Sequence, residues 1–259
     1  MTSKEMRDNP LFMRNGFETV GKWDIPLVKK QKLDLTDTQL VACSDTRAKD
    51  NEVNKTRGVH FFVDDFRFEG IYTNPERTLD KYSQYAFLLT PDFSLYADMP
   101  LWKQMENVAK NRWVGAYWQS KGLTVIPTIA WSTPRSYEFC FDGVEKNGIV
   151  AIGMIGCKNN KLGFLRGYNA MLEKLNPESI IVFGDPFPEM QGNIIYVDYE
   201  RSSWKYMNYE KPVSAEDLKF YMIPDTNAEK YDKIKTLLKW NQIMLSNEVK
   251  EQIDSGFQI

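Results

Sequence analysis

Acidic residues recur where short apolar runs end. Val59-His60-Phe61-Phe62-Val63 is followed by Asp64-Asp65, and Ala86-Phe87-Leu88-Leu89 by Thr90-Pro91-Asp92. Ser179-Ile180-Ile181-Val182-Phe183 runs into Gly184-Asp185, and Leu40-Val41-Ala42-Cys43 closes on Ser44-Asp45. Carboxylates converging from separate strands can exchange protons, act as a covalent nucleophile or hold a hard metal ion. The same side chains favour strand ends for a local reason, because they bond nearby backbone N–H groups. Asp64, Asp65 and Asp92 are the catalytic candidates: Asp64 or Asp65 as general base or nucleophile, Asp92 as a second carboxylate contacting the ligand. Asp185 joins the ligand-binding set.

Three further features could serve a ligand. Gly153-Met154-Ile155-Gly156-Cys157-Lys158 leaves one apolar run and precedes a helix bearing Lys161 and Arg166. Glycines there let backbone N–H groups approach an anion at a helix start, although the pattern is neither a Walker loop nor a dinucleotide fingerprint. Arg112 could assist in holding anionic groups, and beside it Trp113 and Tyr117 stand one helical turn apart. Phe66, Phe93 and Trp131 follow strand ends and are the expected pocket walls. His60 is the only histidine; read as the start of the strand that ends at Asp64, it lies far from the site and is structural. No Cys-x-x-Cys pair occurs, so no metal set is expected, and no cofactor is named by the sequence.

These residues need elements to position them. Runs at Leu40–Cys43, Val59–Val63, Ala86–Leu89, Thr124–Trp131, Ile149–Ile152, Ser179–Phe183 and Asn193–Val197 read as buried strands. Helices are expected from Asn74-Pro75, over Pro100 to Lys121 with Gly122 as its stop, over Thr133–Phe139, and through Leu162, Leu165, Tyr168, Leu172 and Leu175. Strands alternating with helices indicate parallel pairing by right-handed crossovers. The expected fold is α/β, a (β/α) barrel-like or irregular parallel sheet with flanking helices, with an open doubly wound sheet as the alternative. One domain spans 1–259: a core over about 38–200, an N-terminal arm over 1–37, and a helical C-terminal extension over 201–259 with a helix from Asn227 to Met244.

Composition bounds the function. A chain of 259 residues, 42% hydrophobic and 26% charged, can bury one sizeable core. Its formal charge of −2 lacks the basic excess of a protein that coats duplex nucleic acid. No stretch approaches the ~18 apolar residues of a membrane span, and the polar start shows no signal-peptide core. Three scattered cysteines, Cys43, Cys140 and Cys157, suggest reduced thiols and a cytoplasmic protein. No membrane partner is expected, and the sequence sets no oligomeric state.

Several of these runs resemble a known family. They are Gly58-Val59-His60-Phe61-Phe62-Val63-Asp64-Asp65-Phe66-Arg67-Phe68-Glu69, Thr90-Pro91-Asp92-Phe93-Ser94-Leu95-Tyr96-Ala97-Asp98-Met99-Pro100 and Asn111-Arg112-Trp113-Val114-Gly115-Ala116-Tyr117-Trp118-Gln119, with Ile126–Ser132, Phe139–Gly143 and Val182–Gly184. Over about residues 38–190 they resemble the bacterial and phage family catalogued as domain of unknown function 4417. The resemblance imports no activity; it implies a mobile-element setting and a site shared around these motifs, which brings Arg67 and Asp98 into the ligand-binding set. A weaker likeness of layout links Asp64-Asp65-Phe66, Asp92 and Gly153 to guanine transglycosylase-type barrels. That family's Ser-Gly-Gly and its cysteine–histidine zinc ligands are missing here. The expectation is an enzyme-like protein binding a nucleotide or nucleobase-containing ligand. The alternatives are a non-enzymatic replication, regulatory or ligand-sequestering protein that binds nucleic acid or a host signal, and metal-dependent phosphodiester hydrolysis.

Overall fold

The apolar runs pair in the order in which the chain makes them. A computed structural model describes residues 2–198; the expected helix from Asn227 to Met244 lies outside them. The chain opens with α1 (Ser3–Arg7), α2 (Pro10–Met13) and an antiparallel pair, β1 (Thr19–Val20) with β2 (Ile25–Pro26). Four parallel strands follow, β3 (Leu40–Ala42), β4 (Gly58–His60), β5 (Phe87–Leu89) and β6 (Val125–Ile126), adjacent in that order. Three more, β7 (Ile149–Gly153), β8 (Ser179–Phe183) and β9 (Ile194–Val197), form a second parallel sheet. Between them lie α3 (Glu52–Lys55), α4 (Glu69–Thr73), α5 (Glu76–Tyr82), α6 (Leu101–Ser120) and α7 (Lys161–Leu175), with 3-10 turns at Asp65–Arg67, Pro134–Glu138 and Cys157–Asn160.

Pro127 explains why β6 is so short. Having no N–H, it cannot continue the ladder. Beyond it the chain bridges to β7 through Thr128 and Ala151, with Ile129 N donating to Ala151 O at 2.8 Å and Ala151 N donating to Pro127 O at 2.9 Å. On the other side Thr128 N donates to the Thr90 hydroxyl at 2.7 Å. The two sheets are thereby joined, and the strands keep their sequential order throughout. A doubly wound sheet reverses its order at a switch point; among the described strands no reversal occurs.

Period-2 alternation sorts the strand residues into two layers. Ile149, Ala151, Ile181 and Phe183 point inward with Phe87, Leu89 and Ile126, whereas Val150, Ile152, Ile180, Val182 and Leu88 point out to helices. Val114, Tyr117 and Trp118 of α6 cover the first sheet, and Phe164, Leu165, Tyr168 and Met171 of α7 cover the second. Among the described residues no helix covers the inner layer, so its side chains meet one another. His60 of β4 packs on Phe183 of β8 with ring centroids 4.2 Å apart, although three strands separate them. The sheet is therefore curled. Among the described residues it is not closed, because β9 forms no ladder with β3.

The N-terminal arm is more than a cover. Ile25 and Val28 are buried in the core, and the Arg14 guanidinium lies over the Tyr72 and Trp113 rings at 4.1 and 4.2 Å. The lone histidine also differs from expectation. β4 begins at Gly58 and ends at His60, which puts the imidazole inside the curl, with Nδ1 accepting from Phe62 N at 3.2 Å.

Candidate functional site

A cleft of about 450 Å³ opens beyond the carboxyl ends of β5, β6 and β7, where parallel strands place ligands. Its walls come from three stretches: Asp92 to Ala97 after β5, Ile129 to Ser132 after β6, and residues from Ile152 at the end of β7 to Phe164 in α7. Of the expected residues, Asp92, Phe93, Trp131, Gly153 and Gly156 line it. Gly156 sits at φ +76, a left-handed turn that suits glycine and starts the 3-10 segment leading into α7.

Asp92 is the chemically distinctive group. It borders the cleft and is partly open to it, yet protein surrounds it elsewhere. Burial, with the Asp65 charge nearby, pushes its carboxyl up to about 7, against an opposing pull from Arg112. No side-chain or backbone donor among the described residues bonds it. A carboxyl that titrates near neutral pH and faces a cleft can both take and give a proton.

The other two acidic candidates have different settings. Asp65 accepts from Ser94 N at 3.1 Å and from Ser94 Oγ at 2.8 Å, so it ties the loop after β4 to the loop after β5. Asp64 is exposed and pairs with Arg67 Nε at 3.7 Å. Neither lines the cleft, although Asp65 is near enough to act on Asp92 through its charge. Phe66 is 74% exposed, with Arg67 stacked over its ring at 5.3 Å. Asp98 is exposed on the loop before α6, and Asp185 accepts from Lys158 Nζ at 2.8 Å and Tyr196 Oη at 2.9 Å. These four also lie outside the cleft lining.

Arg112 is a correction. It is 1% exposed and spends its guanidinium on the protein itself. It donates to the carbonyls of Asp142, Thr128 and Cys140 at 3.1, 2.8 and 3.0 Å, and to Asn111 Oδ1. Such a group locks the end of β6 and cannot reach an anionic ligand.

What the strand-end reading missed is the support behind the cleft. Gln104, Asn107 and Asn111 form a buried amide row on α6. Gln104 Nε2 donates to the carbonyls of Tyr96 and Met99 at 3.0 and 2.8 Å, Asn107 Nδ2 to Ser94 O at 2.7 Å, and Asn111 Nδ2 to Pro91 O at 2.7 Å. Ser132 Oγ in turn donates to Gln104 Oε1 at 2.5 Å. The row fixes the loop that carries Asp92. Its signal was present as amides three and seven residues apart on a helix face that packing would make apolar. Ser94, Tyr96 and Asn160 also line the cleft. Cys157 does too, but burial, then the Asp92 charge, pushes its thiol up to about 12, which keeps it protonated at neutral pH.

A second cleft of about 340 Å³ follows the seam between β3 and β9, lined by Arg57, His60, Phe62, Phe183 and Tyr196 among others. Among the described residues no group of three or more His, Cys, Asp or Glu could hold a metal ion. No helix among them is long and apolar enough to cross a membrane.

Comparison with known proteins adds ancestry. The gene 1 protein of Mycobacterium phage L5 is 38% identical over 177 residues, which is 67% of this chain and 76% of that protein. The gene 1 protein of Mycobacterium phage D29 is 35% identical over 177 residues, 67% of this chain and 65% of that protein, so the match spans just under two thirds of its length. No solved structure matches the chain. A family model described as a domain of unknown function covers residues 17–200, which takes in the nine strands of the described residues and the whole cleft. The chain belongs to that family, Domain of unknown function (DUF4417).

Proposed function

We propose that this is an enzyme-like phage or mobile-element protein that binds a nucleotide or nucleobase-containing ligand in the cleft beyond β5, β6 and β7. Asp92 is the group that exchanges a proton with the ligand, and Asp65 is a positioning residue acting through Ser94. The observation that carries this reading is the unbonded Asp92 carboxyl, held at about 7 within a cleft walled by Phe93, Trp131 and Phe164. An apolar, ring-lined cleft with a few polar groups is the usual design of a small-molecule site. Three free cysteines suit action in the reducing cytoplasm of a host. The transglycosylase likeness contributes nothing here, since Asp64 and Asp65 stand outside the cleft.

A second reading rests on a different observation. Phe66, Tyr96 and Trp102 are 74%, 63% and 69% exposed, and Arg67 lies on the Phe66 ring. Exposed rings beside cations can stack the bases of a single strand without catalysis. Thermal-shift screening of the full chain with nucleobases, nucleosides, nucleotides and a short single-stranded oligonucleotide separates the two. We expect one or more small ligands to raise the melting temperature of the wild type and to lose that effect in Asp92→Asn. Oligonucleotide binding that survives Asp92→Asn but disappears in a Phe66→Ala/Trp102→Ala variant would establish the second reading instead.

A further inference from the structure

Asp92 is the one acidic side chain in the lining of the principal cleft, and among the described residues that line it there is no lysine, arginine or histidine. The donors that stand near it are turned to other acceptors. Ser94 Oγ donates to Asp65 Oδ1 at 2.8 Å, Ser132 Oγ to Gln104 Oε1 at 2.5 Å, and Cys157 Sγ to the Gly153 carbonyl at 3.5 Å. Arg112 pulls on Asp92 by charge but bonds the carbonyls of Asp142, Thr128 and Cys140 and the side chain of Asn111 instead. The carboxylate is thus left to be matched from the cleft side.

The rest of the lining makes that charge count. Trp131 and Phe164, with centroids 5.1 Å apart, and Ile129, Ile152 and Ile155 line the same space. Such walls hold little water, so a carboxylate among them is weakly solvated and weakly screened. A cation brought to it gains charge-assisted hydrogen bonds, and aromatic rings attract the same sign of charge. An uncharged ligand offers neither.

We propose that the cleft takes a positively charged ligand with Asp92 as its counter-ion, and that the preferred class is a cationic nucleobase, such as an N-alkylated adenine or cytosine. This proposal rests on the ligand reading given above. It has a sign that the uncharged case lacks. A cation binds the ionised carboxylate, so its affinity rises with pH as Asp92 loses its proton. The groups that act on Asp92 are Asp65 after β4, Arg112 on α6 and the Cys157 thiol after β7. Arg112, lowered to about 10, and Cys157, raised to about 12, both by burial, keep their protonation between pH 6 and 8. With Asp92 at about 7, the ionised fraction grows about tenfold across that range.

The test is isothermal titration of the full chain with pairs of isomers that differ in charge. They are 1-methyladenosine and 3-methylcytidine, cations at neutral pH, and the uncharged N6-methyladenosine and N4-methylcytidine. At pH 7.5 we expect the cation of at least one pair to bind about tenfold more tightly or better. Its affinity should rise about tenfold from pH 6 to pH 8, a result that needs no variant. Asp92→Asn should cut the preference to roughly twofold or less and flatten the pH dependence. Isomers that bind alike, or a preference for the uncharged one, overturn the counter-ion role and leave the ligand reading standing. A preference for the cation that persists in Asp92→Asn puts the charge elsewhere and also overturns it. If no nucleoside of either charge binds the wild type, both readings fail.

Discussion

A carboxyl that titrates at about 7 in the folded protein holds its proton more tightly there than in the unfolded chain, where aspartate titrates near 3.9. Asp92 therefore lowers stability as pH rises from about 4 through 7, and its full cost applies above that window. Asparagine has the same shape and no charge. Asp92→Asn should melt with the wild type near pH 4 and about 5 °C above it at pH 8, allowing for solvent on the cleft side. Melting curves from pH 4 to 8 check this, and a wild type that melts higher at pH 8 would place the carboxyl in a stabilising role. Asp92 was legible in the sequence because a buried strand and a proline aim the residue that follows. The difference between Asp64 and Asp65 was not, since it depends on which one faces Ser94. Nor was the role of Arg112, whose partners Thr128, Cys140 and Asp142 are brought to it by tertiary packing.

α6 carries two jobs on one helix. Its carboxyl end supplies Trp113, Val114, Tyr117 and Trp118 to the core, and its first eleven residues supply the amides that hold the Pro91–Met99 loop. Its end was readable, because Gly122 at φ +81 gives the helix a Schellman stop, with Leu123 N donating to Trp118 O at 3.1 Å. Its amino half was not, since apolar spacing singles out Leu101, Met105, Val108 and Ala109 and passes over amides that serve backbone carbonyls. Asn107→Leu should leave Ser94 O without its donor, costing about 1–2 kcal/mol. Hydrogen exchange over residues 92–98 should accelerate about tenfold or more while the core strands keep their protection. Exchange in that loop that rises only as far as the core does would show that Asn107 supports the whole fold and not the loop.

The joint between the two sheets sets how the molecule comes apart. Between β6 and β7 the link is the bridge at Thr128 and Ala151, yet inner residues from both sheets share one cluster. Cys43 belongs to the outer cluster under α6 and Cys140 to the one under α7. Both thiols are buried and pushed up to about 12 by burial. If the chain unfolds as one unit, a thiol reagent should label Cys43 and Cys140 at equal slow rates, within about twofold, after the less buried Cys157. Labelling of one while the other stays protected would divide the molecule at the joint. Parallel pairing was readable from apolar runs without alternation. The open seam was not, because closure depends on where β9 meets β3 in space and no residue pattern in either strand records it.

Sequential strand order also has a meaning in time. From β3 to β6, and again from β7 to β9, each strand pairs with the one made just before it, so each sheet can lengthen strand by strand as the chain is synthesised. The inner face cannot be completed in that way. His60 and Phe62 leave the ribosome early, and the ring that covers them, Phe183, is made only with β8. Until then the growing sheet has a wet inner face lined with phenylalanine and isoleucine, so the exposure most prone to mispairing lasts longest in a nascent chain that stalls between α7 and β8.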